Sequence, residues 1–185
     1  MTPAKSPTSP KKDKAQAKVP AAKKSASRAE LRAKRRGETP RTRNQVRTNY
    51  RKNFSYFLGQ AEDINELAMV QKIHERLPTT VVEKFLDIGI MWPELEIMLI
   101  PRRTFTHRLT NNEPLTVVES DRAVRMARVL ALAESVFDNK ERAMRWLRKE
   151  MKRFNGNTPI QMMDTDTGSR MVEEALTQID EGFFA

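Results

Sequence analysis

The sequence contains no cysteine. That absence excludes disulfides, thiolate metal sites and cysteine nucleophiles, and it suits a reducing cytosol. Only two histidines occur, His74 and His107, far apart and without ligand-like spacing, so a zinc site would have to lean on carboxylates. Glycine is scarce, and there is no Gly-rich phosphate loop or Ser-centred elbow. No apolar run approaches the ~20 residues of a membrane helix, the richest being "VLALA" at 129–133. The start lacks the apolar stretch of a secretory signal. We therefore expect a cytoplasmic protein with no membrane segment, no metal, no cofactor and no catalytic residues of its own.

Positive charge is abundant but unevenly placed. The net charge is +10, yet residues 1–52 hold 17 Lys and Arg against three acids. The front of the chain carries +14 and the remainder −4. Residues 1–56, rich in Pro, Ala, Ser, Lys and Arg, read as a disordered basic arm, because so little apolar surface cannot offset the entropy of ordering. A flexible polycation attracts phosphate backbones without reading sequence. A solubilising tail is the alternative.

From about residue 57 the apolar spacing is helical and no strand-like alternation of useful length appears, so the fold class is all-α. "INELAMVQKIHERL" sets Leu67, Val70, Ile73 and Leu77 at three- and four-residue steps. "TTVVEKFLDIGI" follows Pro78, with Thr79 or Thr80 as cap and Gly89 as stop. In "ESDRAVRMARVLALAESVF", Ala123, Met126, Leu130, Ala133 and Phe137 line one stripe and Ser120 is the expected cap. "NKERAMRWLRKEMKRF" reads as one further helix, burying Ala143, Leu147, Met151 and Phe154 beneath a basic face of Arg142, Arg145, Arg148, Lys149, Lys152 and Arg153. The last helix aligns Val172, Ala175, Leu176, Ile179 and Phe183, with Thr165 as its cap. Two carboxylates in "DTDTG" (164–168) admit a magnesium site, but Asp and Thr at a helix start answer first to capping.

"WPELEIMLIPRRTFTHRL" is two short helices with a tight joint at Pro101, the sequence form of a helix-turn-helix. Leu95, Met98 and Leu99 face a core, as do Phe105 and Leu109. Arg102, Arg103, Thr104, His107 and Arg108 carry groups suited to phosphate or base-edge contact near a helix N-terminus. A solvated basic face is the plainer reading of the same residues.

At this point the ordered pieces "PRRTF", "LT-x-x-ESDRAVRMARVLALAESVF", "RWL", "TPIQMMDTDTG" and "GFFA" resemble the Xre/ParS-type antitoxins of bacterial type II toxin–antitoxin systems, from about residue 65 onward. The resemblance implies an Xre-like helix-turn-helix domain over 57–115 and a helical toxin-binding domain over 116–185. It implies a RES-type, NAD-consuming protein toxin as partner, with operator DNA as second partner and repression of the chain's own operon. By position it assigns Arg102, Arg103, Thr104 and Arg108 to DNA. Trp146, Thr158, Pro159, Asp164, Thr165 and Gly168 would hold the toxin-binding domain together, with Gly182, Phe183, Phe184 and Ala185 as the inhibitory end. Phe105 stands where the family usually has Leu, and His107 where Arg is common. Helix-turn-helix logic adds a homodimer, because paired half-sites call for two-fold symmetry.

Two phenyl rings at 183 and 184 need burial somewhere. Phe183 shares the last helix's apolar stripe, whereas Phe184 points about 100° away and is the better candidate for insertion into a partner, where buried aromatics act as hot spots. Two other readings stay open. One is a stand-alone helix-turn-helix regulator whose C-terminal half dimerises. The other is a packaging protein driven by the basic arm.

Overall fold

The computed structural model describes residue 1, residues 43–59 and residues 65–182. Among these, every regular element is helical. In chain order they are α1 (Arg43–Leu58), α2 (Glu66–Glu75), α3 (Thr80–Asp87), α4 (Trp92–Met98), α5 (Arg102–Thr110), α6 (Val117–Phe137), α7 (Lys140–Leu147), a 3-10 turn (Lys152–Phe154), α8 (Pro159–Met162) and α9 (Asp166–Asp180). The all-α expectation is met. Residues 2–42 of the basic arm lie outside the described residues.

Helix α6 is the axis around which the rest assembles. Ala123, Val124, Met126, Ala127, Val129, Leu130, Ala131 and Ala133 are all buried, too wide a band for one packed face, and α1, α2, α7 and α9 all pack against it. Its alanines let neighbours approach closely. The helix starts at Thr116, four residues before the expected cap. Thr116 Oγ1 accepts from Glu119 N at 3.2 Å, and Glu119 Oε2 accepts from Thr116 N at 2.7 Å, a reciprocal capping box. Ser120 is instead buried, and its hydroxyl accepts from Leu77 N at 2.9 Å.

The sequence runs the basic arm through residue 56, and the structure corrects this. Residues 43–58 form α1, with Val46, Phe57 and Leu58 buried and Tyr50 and Phe54 half-buried. Four-residue steps put Val46, Tyr50 and Phe54 on one face, which lies on α6. Asn53 Nδ2 reaches Ser135 Oγ at 3.4 Å, and Phe57 packs on Phe85 of α3 with ring centroids 5.6 Å apart. The apolar face is enough to order the segment despite Arg47, Arg51 and Lys52.

Helix α2 keeps half of the expected stripe, since Ile73 packs on the core and Leu77, just past its end, is buried. Asn65 caps it, accepting from Ala68 N at 2.7 Å. Met69 is buried and Ile73 packs on the core, whereas Leu67 and Val70 are 71% and 49% exposed. The helix read over residues 139–154 also ends early. Helix α7 stops at Leu147, and Arg148 turns away from the helix to pair with Glu94.

Candidate functional sites

Helices α4 and α5 are two short consecutive helices joined at Leu99–Pro101. Pro93 occupies the first turn of α4, where its missing N–H costs nothing. Gly89, at φ +97, makes the left-handed turn that leads into it. Leu95, Met98, Leu99 and Phe105 are buried, which fixes the two helices on the core. Leu109, expected inside, is 41% exposed.

The outer face of α5 lines an open groove with Glu96, Arg102, Arg103, Thr106, His107, Thr110 and Asn111. Three of the five sequence candidates, Arg102, Arg103 and His107, meet there. The Arg102 guanidinium sits over the Trp92 ring, 5.5 Å from its centroid, a contact that steadies a long side chain. Arg102 N donates to Glu96 Oε1 at 3.2 Å, so a carboxylate of α4 satisfies one N–H of the α5 start, which Pro101 cannot cap. Asn111 Nδ2 lies 3.1 Å from His107 Nε2. Thr106 and Thr110 were detectable, since they follow Arg103 at steps of three and four residues.

Thr104 is half-buried and lies outside this groove. Arg108 has a different setting again. Its side chain is 15% exposed and approaches Glu119 at 3.4 Å and Glu113 at 3.6 Å. Its Nη1 donates to Pro114 O at 3.4 Å, and Arg76 donates to Pro114 O and Leu115 O at 3.0 and 2.8 Å. Two arginines thus clamp the 113–116 loop that leads into α6.

The C-terminal elements rest on successive caps. Thr158 forms a capping box with Gln161 at the start of α8, where Pro159 is buried. Thr165 Oγ1 accepts from Gly168 N at 3.1 Å, so Thr165 caps α9 as expected. Asp166 pairs with Arg170 at 2.8 Å, while Asp164 is exposed in the turn. The carboxylates of "DTDTG" thus lie at a capped helix start, and among the described residues no cluster of three or more metal-type ligands occurs. Gly168 is required sterically: a Cβ there would stand 1.9 Å from Met162 O. Trp146 is half-buried, its ring 5.8 Å from that of Phe137.

Helix α9 buries Val172, Ala175 and Leu176 and ends at Asp180. Gly182 follows at φ +81. Phe183, Phe184 and Ala185 lie outside the described residues.

Where α1, α6 and α9 meet, three titratable groups gather. Burial raises the Glu173 carboxyl above its ordinary value, with Arg128 opposing and Asp166 adding to the rise. Burial, and then the Glu173 charge, raise the Tyr50 hydroxyl.

Residues 132–182 match the family described as the antitoxin Xre/MbcA/ParS C-terminal toxin-binding domain. Antitoxin Xre of Pseudomonas putida KT2440 is 43% identical over 125 residues, covering 65% of this chain and 79% of that protein. The chain belongs to the Xre/MbcA/ParS antitoxin family. A Prs ADP-ribosylating antitoxin from a Sphingobium strain is 32% identical over 69% of this chain and 86% of its own length. An antitoxin Xre from Photorhabdus laumondii is 28% identical over 60% of this chain. The matched antitoxin domain begins inside α6, at Leu132, so one continuous helix joins the matched segment to the residues before it. It contains Trp146, Asp164, Thr165, Gly168 and Gly182. No helix among the described residues is long and apolar enough to cross a membrane.

Proposed function

We propose that this antitoxin binds and inhibits a RES-type, NAD-consuming toxin through its C-terminal domain, and represses its own operon through α4 and α5. The observation that carries the first half is the toxin-binding domain match over 132–182. Within it, interlocked caps and the Gly168 approach build a rigid platform that leads directly to the terminal residues. The inhibitory end is Gly182, Phe183, Phe184 and Ala185, an apolar tip suited to closing a pocket. Burying one Phe contributes roughly 1.5–3 kcal/mol. The Sphingobium relative supports the reading of the toxin's chemistry, since its name includes ADP-ribosylation, and that reaction draws ADP-ribose from NAD.

The groove on α5 supports the second half. A preset arginine over Trp92, a second arginine and a histidine face solvent on the helix that would enter a major groove, and the antitoxin would act as a homodimer on paired half-sites in the cytoplasm. NAD consumption belongs to the toxin in this reading, and the chain itself is not an enzyme.

The test is co-expression with the adjacent reading frame. That neighbour alone should arrest growth and deplete NAD, and this chain should restore both while co-purifying with it. A harmless neighbour that does not co-purify would refute the reading and leave a stand-alone regulator.

A further inference from the structure

Helix α7 is tied at both ends to the connection between α3 and α4. At its start, the Lys140 ammonium donates to the carbonyl of Asp87, the last residue of α3. Just past its end, Arg148 donates to Gly89 O at 2.7 Å and to both Glu94 oxygens at 2.8 Å. These links bind the segment to α4 itself. Residues 140–153 carry seven Lys and Arg against Glu141 and Glu150, so the sign of this strip is firmly positive. Arg145, Lys149 and Lys152 are exposed and take part in no ion pair among the described residues.

When a helix-turn-helix docks, its second helix enters the major groove while its first crosses the phosphate backbone. Helix α4 is that first helix, and the basic segment is fixed to its N-terminal turn. We infer that Arg145, Lys149 and Lys152 form a second, sequence-independent contact with DNA phosphates flanking the stretch read by α5. This rests on the DNA-binding reading proposed above. The toxin-binding domain thereby contributes directly to the DNA footprint, and the strip adds affinity without adding sequence information.

The experiment uses the full chain, wild type and R145A/K149A/K152A, on a duplex from upstream of its own reading frame and on a mixed-sequence duplex, across 50–200 mM salt. The triple variant should melt like wild type and keep the same preference between the duplexes. The slope of log affinity against log salt should fall by about 2–3, since each phosphate contact contributes ~0.9, and the backbone footprint should shorten at its flanks. An unchanged slope and footprint would overturn the inference. A triple variant that binds DNA normally but loses the protein encoded by the neighbouring frame would overturn it too, assigning the strip to a protein surface. If wild type shows no preference between the duplexes and R103A changes nothing, the α5 reading itself fails. That outcome is distinct from a strip failure, in which the preference survives.

Discussion

Arg148 and Glu94 stand 54 positions apart and meet through two hydrogen bonds of 2.8 Å, Nε to Oε1 and Nη2 to Oε2. Glu94 Oε2 also accepts from Met91 N at 2.7 Å, so one carboxylate secures both the start of α4 and the end of α7. The paired geometry raises the Arg148 guanidinium above its ordinary value. Because the arginine is one-third exposed, solvent screens part of the interaction. Arg148→Ala should cost about 1–2 kcal/mol in denaturant unfolding, and a double-mutant cycle with Glu94→Ala should show positive coupling. Purely additive losses would mean that the pair is incidental.

Arg102 and Arg108 share one helix but not one setting. Arg102→Ala should weaken DNA binding by about 1–3 kcal/mol and leave the melting temperature unchanged. Arg108→Ala should do the reverse. It removes a clamp on the 113–116 loop, so stability should fall by about 1–2 kcal/mol, with DNA binding altered only through the fold. Equal DNA losses for both at unchanged stability would contradict this division.

Gly168 leaves no room for a side chain. A methyl group there collides with the backbone carbonyl of Met162, and no rotamer relieves a backbone clash. Gly168→Ala should destabilise the chain by about 2–3 kcal/mol and weaken toxin capture with it. A neutral effect on thermal unfolding would show that α8 and α9 separate easily.

Glu173 should make stability depend on pH. Burial raises its folded-state pKa above that of the unfolded chain, so the native state holds this proton more tightly. Its stabilising contribution is complete below the unfolded value of about 4.3 and is lost as pH rises through the folded value. Glu173→Gln should therefore melt higher than wild type near pH 7, and the gain should vanish as pH falls below about 4. A gain that grows toward acid would reverse the assignment.

Most of the fold is legible in the sequence where the chain repeats one periodicity. The α6 and α9 stripes, the Thr165 cap and the Pro101 joint all follow from local spacing. Helix α1 escapes because its apolar residues, Val46, Tyr50 and Phe57, are thinly set among Arg, Lys and Asn. In α2, Ile73 and Leu77 go inside as the spacing expects, and only the placement of α6 decides that Met69 joins them while Leu67 and Val70 stay exposed. The α6 start does carry a local signal: Thr116 with Glu119 is a complete capping box, a stronger pattern than Ser120 alone. The setting of Arg108 and the partner of Arg148 depend on residues beyond their own helices, which spacing cannot supply.

The most direct test titrates the proposed NAD-consuming partner, sought in the neighbouring frame, with the intact chain and with a chain lacking residues 182–185, reading NAD consumption. The intact chain should halt NAD loss near stoichiometric ratio. The shortened chain, losing on the order of 2–4 kcal/mol of binding, should need roughly 30-fold to roughly 1000-fold more. Equal potency of the two would show that the terminal rings take no part in inhibition.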